Sequence, residues 1–237
     1  MVTSVLTKFD EIYNARQELE SKNLSFIDSN FKRFLRRVIR DREGGLGDYL
    51  KSWDVNYTYD FVNNEINFSD NILDLGCHKS ELVPILHAAG YKNLHGIDLN
   101  ENTKFSIDPH EFKFKKGDFY NMPIESESMS CVSAISVIEH GYDGAGLFRE
   151  VSRVLKPGGY FIASYDYWPT KIDIMDKQHF GLSWIIFDTD EIKKMDDFAA
   201  SNAMKKIKAS QTFDLTEPVI RFDGFDYTFA VSIYQKQ

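Results

Sequence analysis

Ile72-Leu-Asp-Leu-Gly-Cys77 is typical of a short buried strand that ends in a glycine turn. Similar apolar runs follow it along the chain, and helical stretches of about ten to fifteen residues separate them. This alternation indicates βαβ units, in which helices cover a parallel sheet. The sequence therefore predicts an α/β fold.

The remaining strands are predicted from apolar runs at residues 94–98, 112–115, 130–136 and 159–165, and helices from residues 81–89 and 147–155. Lys156-Pro-Gly-Gly159 is expected to end the second helix. Two further runs, at 206–213 and 226–234, are strand-like, and the latter alternates as an antiparallel strand does. We predict five parallel strands and an antiparallel ending on one doubly wound sheet.

The N-terminal part has a different pattern. Its clearest helix lies at residues 31–40, with apolar side chains on one face and Lys32, Arg33, Arg36, Arg37 and Arg40 on the other. Gly44-Gly-Leu-Gly47 then supplies a flexible joint. We predict a helical cap segment at residues 1–60 and a core at 61–237, with an insert at about 166–190 after the fifth strand.

Composition excludes several classes of protein. The 237 residues include 28 Lys and Arg against 36 Asp and Glu, which gives a net charge of −8 and argues against a nucleic-acid partner. Hydrophobic residues at 43% and charged residues at 27% exclude a largely disordered chain. No apolar run is long enough for a membrane span, and the first residues do not resemble a secretory leader. Cys77 and Cys131 cannot form a disulfide framework, so we expect a cytoplasmic protein.

Acidic residues stand where a parallel sheet binds its ligands, at the carboxyl ends of the strands. Asp98 ends the second parallel strand, 22 positions after Gly76, at the interval of an acid that accepts hydrogen bonds from a ribose. Asp118 and Phe119 follow the third and suit the amine and the face of a purine. These positions together predict an adenosine site.

The glycine turn decides between two adenosine cofactors. A dinucleotide pyrophosphate needs a Gly-x-Gly-x-x-Gly turn, whereas only Gly76 is present, and His78 and Ser80 stand near the later positions. S-adenosylmethionine has no phosphate, and Asp74 is a suitable charge partner for its ammonium group. We therefore favour S-adenosylmethionine over a nicotinamide dinucleotide.

Five motifs in order resemble the class I S-adenosylmethionine-dependent methyltransferase family over residues 70–165: Ile72-Leu-Asp-Leu-Gly-Cys77, Gly96-Ile-Asp-Leu99, Gly117-Asp118, Val137-Ile-Glu-His140 and Glu150-Val-Ser-Arg-Val-Leu-Lys-Pro-Gly-Gly159. The resemblance implies a Rossmann-like seven-stranded sheet whose last strand is antiparallel. It also implies that the cofactor contacts Asp74, Gly76, His78, Asp98, Leu99, Asp118, Phe119 and Ser136. The departure from the family is the glycine loop, which here reads Gly76-Cys-His-Lys-Ser80.

Candidate catalytic residues follow the fourth and fifth strands. His140 is a candidate general base that deprotonates a hydroxyl during methyl transfer, with Tyr142 and Asp166 beside it. The aromatic residues Tyr165, Tyr167 and Trp168, together with His179, are predicted to form the wall of an acceptor pocket. Alternatively, these residues have only structural roles: the aromatic side chains pack in the core, and His179 is an ordinary surface or packed histidine.

The basic face suggests the charge of the acceptor. Arg36 and Arg37 would attract a phosphate-bearing group if their helix overhangs the sheet edge, and otherwise form a solvated helix face. We expect methyl transfer to a small, phosphorylated or sugar-linked acceptor, at oxygen, with S-adenosylhomocysteine as the second product. No metal is expected, and no pattern specifies an oligomeric state. The alternatives are a nicotinamide-dependent oxidoreductase and a cofactor-binding regulatory protein without activity.

Overall fold

A computed structural model of the chain describes residues 2–27, 45–103, 105–207 and 215–237. Its helices and strands are, in chain order, β1 (Ser4–Val5), α1 (Phe9–Ser21), α2 (Ser52–Glu65), β2 (Ile72–Leu75), α3 (Leu82–Ala89), β3 (Leu94–Asp98), β4 (Phe112–Lys116), β5 (Met129–Ile135), α4 (Gly144–Val154), β6 (Leu155–Tyr167), β7 (Gln178–His179), β8 (Leu182–Ser183), α5 (Thr189–Ser201), β9 (Met204–Ile207), β10 (Ile220–Phe222) and β11 (Phe225–Lys236).

A single sheet organises the molecule. Strands β4, β3, β2, β5 and β6 lie side by side in that order and are parallel, and β11 pairs with β6 in the antiparallel sense. The chain therefore runs outward from β2 in both directions, and the order reverses at β2. The predicted doubly wound α/β fold with an antiparallel last strand is confirmed.

Strand β11 carries the additions to the parallel part. Strand β9 pairs with it, which completes the seven strands that the resemblance implied. The short strands β1 and β10 also pair with β11, so the sheet has nine strands among the described residues. The predicted strand at 206–213 begins earlier, at Met204, and its residues 208–213 lie outside the described part of the chain.

Two boundaries differ from the sequence prediction for local reasons. Helix α4 begins at Gly144 instead of residue 147, because the Asp143 carboxylate accepts a hydrogen bond from the Gly146 N–H and caps the helix three residues earlier. Strand β6 begins at Leu155, before the Lys156-Pro-Gly-Gly159 turn, with a shift of register against β5 between Met129 and Cys131.

The N-terminal helices share a core with the sheet. Helices α1 and α2 pack against each other, and buried side chains from both, such as Ile12 and Val62, belong to the same apolar cluster as Ile72 and Ile162. The predicted boundary between cap and core at residue 60 lies within α2. The helix predicted at 31–40, which carries Arg36 and Arg37, lies outside the described residues. Among the described helices, none is long and apolar enough to cross a membrane.

A buried ion pair holds α1 against the beginning of α3. The Arg16 guanidinium, 1% exposed, donates to both carboxylate oxygens of Glu81, at 2.8 and 2.7 Å. The same guanidinium donates to Ser25 and Ser52, and Glu81 also accepts the backbone N–H of Phe26 at 2.6 Å. Because Glu81 immediately precedes α3, this network fixes the N-terminal segment next to the Gly76 turn.

Replacing Arg16 with Met should reduce the free energy of unfolding by about 3 to 5 kcal/mol, because it leaves the buried Glu81 carboxylate without its cation. The measurement is chemical denaturation followed by circular dichroism. The control is Lys22→Met, which removes a cation from exposed pairs with Glu18 and Asp60 and should cost about 1 kcal/mol or less. Equal losses in the two variants would contradict the assigned role of Arg16.

Candidate functional site

Gly76 forms the turn at the carboxyl end of β2, and two features require glycine there. Its φ of +66° lies in the left-handed region. A Cβ atom on Gly76 would also lie 2.4 Å from Cγ2 of Val137, in the loop after β5. The loops after β2 and β5 therefore approach each other closely at the point where the strand order reverses.

The rest of this loop explains the departure from a glycine-rich pattern. After Gly76, the only residue of the loop with positive φ is Lys79, at +60°, so neither His78 nor Ser80 needs the freedom of glycine. The His78 ring instead contacts Thr103 Oγ1 at 3.1 Å and Asn100 Nδ2 at 3.1 Å. His78 thus connects the loop after β2 to the loop after β3.

Asp98 ends β3 and faces the glycine turn. Its Oδ2 accepts the His78 backbone N–H at 2.8 Å, and its Oδ1 accepts the Asn100 N–H at 2.7 Å. A carboxylate has about four lone-pair positions, so each oxygen keeps capacity for one more donor. The neighbouring Leu99 side chain is 53% exposed, which leaves an apolar surface beside this carboxylate.

Asp118 and Phe119 lie after β4, on the same edge of the sheet. The Phe119 ring is buried and packs 4.6 Å from the Tyr120 ring, while the Asp118 carboxylate is exposed and accepts the Tyr120 N–H at 2.9 Å. The structure therefore places an exposed hydrogen-bond acceptor next to a buried aromatic side chain, and their contact with adenine stays a prediction.

Asp74 is a buried carboxylate with unused capacity. It is 2% exposed, its Oδ1 accepts the Ser133 hydroxyl at 2.7 Å, and its Oδ2 has no hydrogen-bond partner. Burial raises the pKa of this carboxyl to about 7, while the hydroxyls of Ser133 and Ser80 oppose that rise. A cationic group that reached Oδ2 would therefore be stabilised.

Ser136, directly after β5, connects this region to α2. Its φ of +49° is left-handed, and its N–H donates to the Ser164 carbonyl at 3.0 Å. Its hydroxyl accepts from Lys51 Nζ at 2.6 Å and donates to Asp54 Oδ2 at 3.2 Å. Lys51 and Asp54 were not among the residues predicted from the sequence. In the sequence, the only feature that could have pointed to them is Asp54 within the aromatic-rich run Ser52-Trp-Asp-Val-Asn-Tyr57, which Lys51 directly precedes.

Two more buried carboxylates lie at this edge. Asp166, 4% exposed, accepts the Trp184 indole N–H at 2.9 Å and lies 3.9 Å from Lys51 Nζ. Glu139, 1% exposed, has an Oε2 without a partner. Burial raises the pKa of both carboxyls, the charge of Asp166 raises that of Glu139 further, and Lys51 opposes the rise of both. The sequence prediction included Asp166 but gave Glu139 no role.

His140 and His179 lie beside these carboxylates. Their ring centroids are 6.0 Å apart, and the His179 ring packs 4.7 Å from Trp184. The His140 Nδ1 is buried without a partner. Burial lowers the pKa of His140 to about 4, and the charges of His179 and Lys51 add to this effect. His140 is therefore a neutral imidazole at pH 7, as a base requires, but a weak one.

A separate cavity of about 560 Å³ opens next to Tyr142, whose hydroxyl is buried without a partner. Residues 171–175 and 183–186 of the insert line it. Trp184 belongs to this wall and also contacts Asp166 through its indole N–H, so the cavity adjoins the carboxylates. Within the described ranges of the chain, no group of His, Cys, Asp or Glu side chains is arranged to hold a metal ion.

The predicted aromatic wall is only partly present. Tyr165 is fully buried and its hydroxyl bonds to Ser232 at 2.6 Å, and Tyr167 belongs to the same apolar cluster. Neighbouring residues of a strand point to opposite faces, so neither ring lies with Asp166. Both rings are buried in this structure, and their role in acceptor binding stays a prediction. Trp168 is half-buried beyond the strand end, and Arg36 and Arg37 lie outside the described residues.

Comparison with known proteins agrees with this geometry. Residues 73–163 match the methyltransferase domain family. The sterol 24-C-methyltransferase of Candida albicans is 30% identical over 149 residues, which cover 57% of this chain and 39% of that protein. The corresponding protein of Saccharomyces cerevisiae is 31% identical over 155 residues, which cover 60% and 39%. The chain thus spans about two fifths of the length of these curated relatives.

Solved structures share the fold. Geranyl diphosphate C-methyltransferase from Streptomyces coelicolor superposes with a TM-score of 0.55 at 16% identity, over 81% of this chain and 88% of that one. A methyltransferase from Methanosarcina mazei gives 0.54 at 16% identity, over 75% and 97%. The match over residues 73–163, the ordered motifs and the sheet topology make this part of the chain similar to class I S-adenosylmethionine-dependent methyltransferases.

Proposed function

We propose that this protein binds S-adenosylmethionine along the carboxyl edge of β2, β3 and β4 and transfers its methyl group to a small-molecule acceptor. The observation that carries the proposal is the pair of carboxylates around the Gly76 turn. Asp98 keeps hydrogen-bonding capacity on both oxygens, and Asp74 has a buried oxygen without a partner. These groups suit a ribose and an ammonium group, respectively.

When bound, S-adenosylmethionine supplies an electrophilic methyl group on a sulfonium. The residues of this chain would bind and orient it: Asp98 accepts hydrogen bonds from the ribose hydroxyls, Asp118 and Phe119 contact the adenine, and Asp74 accepts from the ammonium. Ser136 and the loop after β5 then border the methyl group. Beyond them, towards β6, lie the residues that would face the acceptor, so alignment of the acceptor is their main contribution to the rate.

The finer features of the acceptor remain proposals. Relatives and one structural neighbour are named for methyl transfer to carbon. For this chain we retain oxygen as the proposed accepting atom, because His140 is a neutral imidazole at the mouth of β5 that can take a hydroxyl proton. Arg36 and Arg37 are the basis for proposing a phosphorylated or sugar-linked acceptor. Because both lie outside the described residues, their role in binding it stays a prediction.

Replacing Asp98 with Ala should weaken the binding of S-adenosylhomocysteine by tens-fold, about 2 kcal/mol, because both ribose hydrogen bonds are lost. Isothermal titration calorimetry measures this directly. Asp108→Ala is the matched control, since Asp108 also accepts a backbone N–H after a turn but lies in an exposed segment away from the site. Unchanged affinity in the Asp98 variant would refute the ribose assignment.

The same calorimetry separates the rival functions. Binding of NADH or NADPH in place of S-adenosylhomocysteine would support an oxidoreductase. Binding of S-adenosylmethionine without formation of S-adenosylhomocysteine on any acceptor would support a regulatory protein.

His140 should titrate near pH 4 instead of the 6.5 of a free histidine, because burial disfavours its charged form. Nuclear magnetic resonance of the ring protons, assigned with His140→Asn, measures this. Since the unfolded chain binds this proton more readily, His140 lowers the stability of the folded protein as pH falls from about 6.5 to 4. Over that range the unfolding free energy of His140→Asn should depend less on pH. A titration near 6.5 would contradict the burial of this ring.

As the general base, His140 should also determine turnover. His140→Ala should reduce the rate with a hydroxyl acceptor by about two to four decades while the affinity for S-adenosylhomocysteine is kept. A small loss of rate that does not depend on pH would show that His140 only positions the acceptor.

A further inference from the structure

Building on the proposed methyl transfer, we propose that the acceptor carries a cationic nitrogen that binds among the buried carboxylates of Asp54, Glu139 and Asp166. These three residues are called the acidic cluster below. They border the position of the methyl group on the side of β6, so the cluster defines the chemical class of the acceptor: an amine that is protonated at neutral pH.

The acidic cluster is assembled from three parts of the chain. Asp54 comes from α2, Glu139 from the loop after β5 and Asp166 from the end of β6. Their exposed fractions are 0%, 1% and 4%. Hydrogen bonds from the hydroxyls of Ser136 and Ser164 to Asp54 Oδ2, at 3.2 and 2.9 Å, connect the α2 carboxylate to the two strand ends.

Each member of the cluster has an oxygen without a hydrogen-bond partner: Asp54 Oδ1, Glu139 Oε2 and Asp166 Oδ1. Buried polar atoms are nearly always hydrogen-bonded in folded proteins, because desolvation without a partner is costly. In the part of the chain that the structure describes, three of the nine such side-chain atoms belong to the cluster, two to the adjacent His140 and His179, and the others to Asn56, Thr58, Asp74 and Tyr142. Donors from a ligand would satisfy these oxygens.

A cation, Lys51, faces the acidic cluster, in which burial raises the pKa of each carboxyl. Lys51 Nζ lies 3.9 Å from Asp166 Oδ1, 2.6 Å from Ser136 Oγ and 3.6 Å from the centre of the Phe229 ring. The positive charge of Lys51 lowers the pKa of all three carboxyls and so acts against the effect of burial. Another basic side chain beside the cluster is His179, which approaches the Asp223 carboxylate at 3.8 Å. A second cation at the cluster would favour the ionised form of these carboxyls and would donate to their oxygens that lack a partner.

The surroundings of Asp166 have a composition that recognises organic cations. The Trp184 indole N–H donates to Asp166 Oδ2, and the Trp184 and Tyr227 ring centroids are 6.0 Å apart. The Tyr227 hydroxyl is close enough to lower the pKa of Asp166. Aromatic faces together with carboxylates bind ammonium groups. The Lys51 ammonium group, which lies over the Phe229 ring, is one example within this region. An anionic group placed there would face three carboxylates.

The test uses the Trp184 indole N–H as a reporter, because that group donates to Asp166. Protein with and without an excess of S-adenosylhomocysteine, which has no sulfonium charge, is titrated with butylammonium chloride at constant ionic strength. Butanol and sodium butyrate are the neutral and anionic probes of equal length. The indole signals of the three tryptophans are followed by ¹H–¹⁵N spectra and assigned with Phe variants.

Butylammonium should shift the Trp184 signal in a saturable manner, whereas butanol and butyrate should not, and Trp168 provides the internal reference. No shift, or equal shifts with butanol, would overturn the proposal. Binding of S-adenosylhomocysteine is measured separately by calorimetry. If S-adenosylhomocysteine does not bind while butylammonium still shifts the Trp184 signal, the proposed function is wrong and the cation site is supported. If it binds while the shift is absent, only the cation site fails.

Three variants test the cluster. Asp166→Asn and Asp54→Asn keep the shape and remove one charge, so each should weaken butylammonium binding by about tenfold or more, equivalent to 1.4 kcal/mol. Lys51→Met removes the competing cation and should strengthen it. Asp190→Asn, on the exposed side of α5, is the control and should change nothing. Weakening in both Asp54 and Asp166 variants with strengthening in the Lys51 variant supports the proposal, and unchanged affinity in all three would overturn it.

Discussion

The close approach of Gly76 to Val137 is the constraint on which the rest of the site depends. It brings the loop after β2 against the loop after β5, and only a residue without a Cβ, in a left-handed conformation, allows it. Because strand order reverses at β2, this contact also marks the crevice in which doubly wound sheets bind their ligands. Asp74, Asp98 and Ser136 occupy its walls because they end the strands on either side.

Electrostatics divides the crevice into two halves. On the side of β3 and β4, the carboxylates are exposed or already hydrogen-bonded to backbone N–H groups, as Asp98 and Asp118 are. On the side of β5 and β6, the carboxylates are buried and partly without partners, as Glu139 and Asp166 are. The first half suits the hydroxyls and amine of an adenosine, and the second suits a ligand that brings its own positive charge. The two halves meet at Ser136, where the methyl group is proposed to lie.

The sequence was sufficient for the sheet and for the edge at which the predicted cofactor residues lie. Periodicity located β2, β3 and β4 closely, because strands buried in a parallel sheet are short and apolar, and the residues after them, such as Asp98, follow by topology. It was insufficient for the acceptor half. Lys51 and Asp54 are far from β5 in the chain, and only the packing of α2 brings them to Ser136. The position of Tyr165 near a strand end did not indicate which face of the sheet its ring covers, and the ring is fully buried.

Ser136 shows how the chain maintains an unfavourable conformation at the centre of the site. A left-handed serine costs roughly 1 to 2 kcal/mol relative to an ordinary backbone conformation. Here the N–H of Ser136 donates to both the carbonyl and the hydroxyl oxygen of Ser164, and its own hydroxyl bonds Lys51 and Asp54. A strained residue that several hydrogen bonds hold in place is typical of functional sites, where the orientation of a side chain matters more than stability. The same hydrogen bonds that offset the strain also hold Lys51 and Asp54 in place. The backbone conformation of Ser136 and the positions of these two charged side chains therefore depend on each other.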